Sequence, residues 1–460
     1  MQETPITDGR TVSYGRDWTK GSITKNLLQL SWPIVISQSL NMIGPTIDMI
    51  WVGKLGAAPI AGVGVAGTVV MFMTSAIMGL AIGTRAMIAR FIGAGDTTGA
   101  NHVARQAFVI SAMFAALMIT IGISLAEPIL ALMGVEPEVV AEGAVYMRIM
   151  FVGASTMTFR MMAEGIMQAS GDSITPMRIA ILFRAVHVAL CPFMVLGWWI
   201  FPNLGVTGAA LTNVISQSLG LALAFWVLFS GKTHLRLTMQ NFRVDFRMIW
   251  RIIRIGLPAS VMATQRGLGH LVLTMFMVPF GTLAVAAHTL WQRVEMVVVM
   301  LNMGIGIGAG VLVGQNLGAN NPGRAERSGW LALAITQAFV TLCAIAILVW
   351  PEYIVRIFNT EPNLIATASS FLRIAATGYF VLSSVVVLEN CISGAGDTVP
   401  PMLFEIVQRW VIIVPLAFLL PNIAGLGMYG VRWAIVAGMI LGAFIYAAYF
   451  RLGRWKRKRI

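Results

Sequence analysis

Charge is scarce in this 460-residue chain: Asp, Glu, Lys and Arg make up 11% of it, against 57% hydrophobic residues and a mean hydropathy of +0.80. So little charge excludes an ordinary soluble domain, because most of the chain lies in apolar runs of about 20 residues, the length that spans a bilayer. Cysteine is scarcer still. The three present, Cys191, Cys343 and Cys391, are odd in number and sit inside apolar runs, which excludes a disulfide framework and leaves the redox compartment open. A G-x-x-x-x-G-K-[ST] phosphate loop is missing, as is any soluble stretch long enough for a nucleotide-binding domain. Direct ATP hydrolysis is thereby excluded, and ion gradients remain as the energy source. The chain also lacks H-E-x-x-H, G-x-S-x-G and any paired-histidine set, so a membrane-embedded enzyme has no constellation to work with.

What is present is a repeat. At a spacing of 225 residues, Pro33 matches Pro258, Gly93-Ala94 matches Gly318-Ala319, and Glu136-Pro137 matches Glu361-Pro362. The register continues through Arg148 and Arg373, Glu164 and Glu389, Gly171-Asp172 and Gly396-Asp397, and Arg184 and Arg409. Two homologous hydrophobic halves are a hallmark of secondary transporters. Apolar runs punctuated by Gly, Pro, Asn and Asp predict helices near 27–53, 58–90, 102–125, 138–168, 175–199 and 205–229, then 248–278, 282–313, 325–349, 363–392, 399–420 and 425–450. The expected fold is an all-α membrane protein of twelve transmembrane helices. With six spans per half, both halves have the same orientation and are related by a pseudo-two-fold axis along the membrane normal. The predicted divisions are a tail at 1–26, an N-lobe at 27–230, a linker at 231–247, a C-lobe at 248–450 and a basic tail at 451–460. The first apolar run has no small-residue cleavage site and carries Pro33, Pro45 and Asp48, so it reads as a spanning helix and not a signal peptide.

Basic residues orient these spans. Arg10, Arg16, Lys20 and Lys25 in the first tail, Lys232 to Arg254 around the linker, and Arg454 to Arg459 at the end should all be cytoplasmic. The acid-rich connections holding Glu127, Glu136, Glu138 and Glu142, with Glu352 and Glu361 in the second half, fall on the other side. The net charge of +13 then has a topological cause, and nucleic acid is not an expected partner. The expected setting is multi-pass in the cell (plasma or inner) membrane, surrounded by lipid, as a monomer. A G-x-G-x-x-G at Gly62, Gly64 and Gly67 lies inside a hydrophobic helix with no strand before it, so it reads as helix packing, as do Gly79 and Gly83 with their mates Gly304 and Gly308.

Several runs now become specific: Leu30-Ser31-Trp32-Pro33 opening the first helix and Asp48-Met49-Ile50-Trp51-Val52-Gly53 closing it, Gly314 to Asn320 after the eighth, and Gly171 to Pro176 and Gly396 to Pro401 after the fourth and tenth. Over essentially the whole chain the pattern resembles the multidrug and toxic compound extrusion (MATE) family. That resemblance implies a secondary active antiporter, exporting an organic compound in exchange for an incoming proton or sodium ion by alternating access of two lobes, with no cofactor and no enzymatic activity. It is closest to the bacterial and archaeal branch with an essential Asp in the first helix. Lipid-linked oligosaccharide flippases of the same superfamily are the alternative, since a pyrophosphate would welcome Arg184, Arg266 and Arg293.

An ionisable side chain in mid-membrane costs about 2.5–3.5 kcal/mol on insertion scales and so defaults to function. Asp48 shares a face with Asn41 and Pro45 and is the expected ion-coupling carboxylate. On the fifth helix Arg184, His187 and Cys191 form a second stripe. Here the chain departs from the family, whose members carry an Asn and an Asp where this one has His187 and Cys191. A hard sodium ion prefers oxygen ligands, so the replacement favours protons. Asp48, His187, Asn41 and Cys191 are the ion-coupling candidates. A transition metal is not expected there, because no second sulfur or paired histidine lies nearby in sequence. In the second half Arg266 and His270 share a face, with Gln292, Arg293 and Glu295 at similar depth. These five and Arg184 are the substrate-binding candidates. Glu164 and Glu389 read as helix-end anchors, and Arg184 and Arg409 as a symmetric architectural pair.

Overall fold

A computed structural model of the chain describes residues 17–134, 136–198, 202–240, 242–423 and 425–460. Arg10 and Arg16 of the first tail, and position 199 at the end of the fifth predicted helix, lie outside the described residues. The first six long helices are α1 (Ile23–Val52), α2 (Ala57–Gly93), α3 (Thr97–Leu132), α4 (Pro137–Ala169), α5 (Ile174–Leu196) and α6 (Gly205–Ser230). The second set is α7 (Phe246–Met275), α8 (Thr282–Gly318), α9 (Pro322–Val349), α10 (Pro362–Gly394), α11 (beginning Val399–Ile406) and α12 (Met428–Leu452). A short helix, Pro351–Arg356, precedes α10. No strand occurs among the described residues. The helices begin where side chains cap them: Asp96 accepts from Gly99 N at α3, Asp245 from Met248 N at α7 and Asn321 from Arg324 N at α9.

Ten helices are long and apolar enough to cross a membrane; α1 and α7, at 30 residues each, are long enough but more polar. Their composition has a reason. Both put polar side chains into the bundle, Asp48 on α1 and Gln265 and Arg266 on α7, and α7 opens with the exposed Arg247, Arg251 and Arg254. In the first repeat α2 packs on α4, α4 on α6 and α1 on α5; in the second, α8 packs on α10 and α10 on α12. The repeats join by a reciprocal exchange, α2 against α7 and α8 against α1.

Glycines make that seam close, and they do so in repeat-related pairs. A Cβ on Gly79 would lie 2.0 Å from Ser260 N, and one on Gly304, its mate, 2.6 Å from the Cα of Val35, the mate of Ser260. Further along, Gly93 lies against the Gln315 carbonyl and Gly318 against the Arg90 carbonyl, again mates of one another. Small residues let backbones approach where no larger side chain would fit. The reading of Gly62 as a packing position holds, with Gly143 N at 2.9 Å from its would-be Cβ, but Gly64 and Gly67 face open space.

The tails and the linker gather at the end of the bundle where this seam closes. Trp18 covers Gly171 and Ile460 covers Gly396, one terminus on each of two repeat-related loops. The charges of 451–460 by themselves suggest a solvated membrane-surface tail, but the segment is docked. Trp455 is buried against Phe450, Lys456 pairs with Glu326 at 2.6 Å, Lys458 pairs with Asp397 at 3.2 Å, and the Lys458 carbonyl accepts from Arg90. An apolar Trp among the charges is what converts the run from a solvated tail into a docked one. The linker is likewise strapped down, its carbonyls at Arg236, Gln240 and Arg243 taken by Asn101, Arg105 and Gln106 of α3.

Candidate functional site

Among the described residues, each repeat buries a polar cluster. In the first, α1 delivers Asp48 and α5 delivers Arg184, His187 and Cys191, all four buried. The spacing of three and four residues on α5 puts its three on one face, toward α1. Arg184 Nη1 lies 3.0 Å from His187 Nδ1, and His187 Nε2 lies 3.0 Å from Asp48 Oδ1. A guanidinium can only donate, so Nδ1 must accept and the ring proton sits on Nε2, from which it is donated to Asp48. Cys191 Sγ donates to the same Oδ1 at 3.7 Å. Asp48 Oδ2 is buried and, among the described residues, has no hydrogen-bond partner, which costs about 1–3 kcal/mol. Arg184 is itself held in place: a Cβ on Gly44 would lie 2.1 Å from its Nη1, so the helix can accept the guanidinium only at a glycine. Tyr146 of α4 lies near this carboxylate.

Asp48, His187 and Cys191 place one ligand atom each within 4.8 Å of the others. Sequence spacing gave no hint of this, since the three come from two helices far apart in the chain. The donor set would suit a soft transition metal, but the surroundings do not. A metal-binding histidine usually donates its second N–H to an acceptor, whereas His187 presents that nitrogen to the donor-only Arg184. The arrangement is a directed hydrogen-bond chain ending on a carboxylate with one oxygen open.

Asn41 is not part of it; its amide bonds Gln38 at 3.4 Å. Glu164 is no helix-end anchor either. It is a buried ion-pair partner of Arg160 one turn away, and Gln217 holds the Arg160 Nε.

In the second repeat Arg266 does not stand free. Its Nε donates to Glu405 at 2.6 Å and its Nη2 to Glu389 at 2.6 Å, so α7, α10 and α11 are tied together by one guanidinium. This corrects the anchor reading of Glu389 as well. Arg409 lies 3.7 Å from Glu405 and is seated on Gly269, the repeat mate of the Gly44 that seats Arg184. The symmetric architectural duty expected of the two arginines is therefore visible as one contact made twice. Arg409 falls in a π-helical stretch, Val407–Ile413, that continues α11, whereas the equivalent part of α5 is ordinary α-helix. Gln292 bonds His288 at 3.1 Å, Glu295 is buried, His270 and Arg293 are exposed. Arg184, Arg266 and Arg293 thus have separate surroundings, a buried histidine, a glutamate pair and open space.

Sequence reasoning missed Arg432. It is 1% exposed on α12, and among the described residues none of its three nitrogens has a hydrogen-bond partner. Its guanidinium carbon lies 4.0 Å from the Trp291 ring centroid and 4.7 Å from that of Phe371. Two such contacts contribute about 2 kcal/mol each at best when desolvated, against several for burying a charge unpaired. The signal was available, since Arg432 is the one charged residue in the predicted helix at 425–450.

A family model described as MatE matches residues 33–193 and again 258–419, its two matches starting 225 residues apart at Pro33 and Pro258. The chain belongs to the MatE family. Among the relatives of this MatE transporter is a probable multidrug resistance protein NorM of Thermotoga maritima, 24% identical, with 95% of this chain and 94% of the relative covered. A protein of the same description from Deinococcus radiodurans is 26% identical over 93% of this chain and 96% of its own length. A crystal structure of MATE in the bent conformation superposes with a TM-score of 0.89 at 23% identity, covering 95% of this chain and 96% of that one. The all-α twelve-helix MatE fold of this chain agrees with that likeness. The family and its relatives are transporters, which points away from an enzyme.

Proposed function

We propose that this MatE transporter is a secondary active antiporter that exports organic compounds across the cell membrane in exchange for protons, with Asp48 as the proton carrier. The observation that carries the reading is the unpartnered, buried Oδ2 of Asp48 beside an Oδ1 already held by His187. A proton arriving at this cluster has one vacancy. His187 cannot take it on Nδ1 without turning a second donor against Arg184, so the proton goes to Oδ2, and the charge of the cluster changes by one. Sodium is less well served. The atoms facing Asp48 are a ring nitrogen and a sulfur, poor ligands for a hard cation.

The coupling then acts through α1. Pro45 lacks the backbone donor that would bond the Asn41 carbonyl, so α1 is loosened one turn before Asp48. Neutralising Asp48 removes the charge that holds α1 to α5, and α1 is also the helix that packs on α8 of the other repeat. The two lobes of the mechanism are residues 27–230 and 248–450, joined by 231–247. Their seam closes at the end where the tails lie. With basic tails and linker cytoplasmic by the distribution of Lys and Arg, that closed end is the inner one. The relatives named as multidrug resistance proteins support a broad range of organic substrates, and flexible methionines on α2 and α8, Met71 and Met296 among them, are exposed to receive them.

Inside-out vesicles with separately imposed proton and sodium gradients test this. Export should follow the proton gradient and ignore sodium. Export driven by sodium at constant pH would overturn the reading.

A further inference from the structure

The proposed antiport says nothing of which substrate charge the second repeat prefers, and Arg432 answers that question. Its guanidinium carbon lies over the Trp291 and Phe371 rings, and among the described residues none of its N–H donors has an acceptor. The other arginines nearby are provided for: Arg266 by Glu389 and Glu405, and Arg409 by Glu405. Glu295, another buried acid of this repeat, does not pair with Arg432, whose nitrogens have no partner among the described residues. Its environment is therefore specific: a planar cation, oriented by two rings, whose edge is prepared for a planar or tetrahedral oxyanion.

The repeat relation strengthens the case. Phe371 is the mate of Tyr146, the aromatic residue beside Asp48. On the same helix of each repeat, the same position thus borders an orphaned acceptor in one half and orphaned donors in the other.

We infer that Arg432 is an anion-recognition site of the second repeat, which takes the carboxylate or phosphate group of an aromatic organic substrate between helices α8, α10 and α12. The anion's oxygens accept from the guanidinium edge, and the aromatic part extends along Trp291. Carboxylate and phosphate are also what an anionic lipid headgroup offers, so the shared chemistry is the claim and the experiment separates the sources. The inference rests on the transport reading but is tested without any gradient, so its failure leaves proton coupling at Asp48 standing, and the reverse.

The test is equilibrium binding to the full-length transporter purified in an uncharged detergent, with 2-naphthoate, 2-naphthyl phosphate and 2-naphthylmethylammonium as probes. Wild type should bind the two anions at least about ten-fold more tightly than the ammonium probe. Arg432→Gln should lose that preference, and Arg432→Lys, which keeps the charge without the planar fork, should retain only part of it. Arg356→Gln removes an exposed arginine of the same repeat and should change nothing. Should Arg432→Gln fail to fold, Arg432→Lys and the wild-type preference still decide. Competition by phosphatidylglycerol but not phosphatidylcholine identifies a lipid phosphate as the occupant; no competition by either identifies the soluble compound. Equal binding of the anion and ammonium probes by wild type, or an anion preference undiminished in a folded Arg432→Gln, would overturn the inference.

Discussion

The two repeats share their outer contacts and differ in what they bury. At the seam, Gly79 and Gly304, and Gly93 and Gly318, make the same close approach twice, and within each repeat Gly44 and Gly269 seat an arginine. In the interior, Asp48, His187 and Cys191 of the first repeat correspond to Leu273, Ile412 and Leu416 of the second, while Arg432 corresponds to Thr207. One half keeps a carboxylate with an open oxygen, the other a guanidinium with an open edge. Backbone approach is intolerant of change because both partners are main chain. Buried polar groups can diverge once each half has its own task, and here they diverge to opposite sign.

Breaking the shared part should have the largest effect on stability. A Cβ on Gly93 would lie 1.9 Å from a carbonyl oxygen of α8, and neither backbone can yield. Gly93→Ala should destabilise the folded transporter by about 1–3 kcal/mol or more in thermal unfolding, whereas Gly64→Ala, in open space, should be silent. Equal effects would mean that the seam is not closed as described.

The sharper comparison sets Gly44→Ala against Gly269→Ala. Both displace a seated arginine, but only Arg184 holds a histidine on the proton-binding carboxylate. Gly44→Ala should lower proton-driven export by about ten-fold, and Gly269→Ala by much less, in vesicles with matched protein levels. A larger loss from Gly269→Ala would reverse the assignment of roles to the two halves. Next in size is His187→Gln, which offers an amide donor in place of the ring N–H. Export should fall by about five-fold, the worth of a weakened hydrogen bond, and its pH profile should shift. An unchanged profile would remove His187 from the chain of donors.

The smallest effect belongs outside the membrane. The hydrogen bond from His102 holds the exposed Asp245 carboxyl below its usual range, helped by the backbone N–H groups at the start of α7. A carboxyl lowered in the folded state contributes stability above its unfolded pKa and loses it as pH falls through the lowered value. Asp245→Asn should therefore shift thermal unfolding slightly at neutral pH and not at all at strongly acidic pH. A shift that persists in acid would point to the lost cap and not to the charge.

Much of this was legible in the sequence, and the reason is periodicity. An unbroken register of 225 residues, apolar runs of spanning length and Pro/Gly punctuation describe twelve helices in two halves, with α1 and α7 the more polar of them. Asp48, His187 and Cys191 could be named as candidates because charge and imidazole are costly in a bilayer. That they meet at one carboxylate could not, since it depends on how α1 packs on α5. Arg266 was named for its charge, but its two glutamates lie on helices α10 and α11, and only packing reveals that they neutralise it. The docked tail was misread for the opposite reason. Its charges suggested solvent, and the single Trp455 that anchors it carries no periodicity.

Asp48→Asn tests the central claim most directly, because the amide fixes the neutral form while keeping the hydrogen bond that His187 makes to Oδ1. In proteoliposomes, pH-driven accumulation of substrate and gradient-free substrate exchange are measured side by side. The account predicts that the variant loses accumulation while exchange and binding persist. Accumulation that still follows the pH gradient in Asp48→Asn would contradict it.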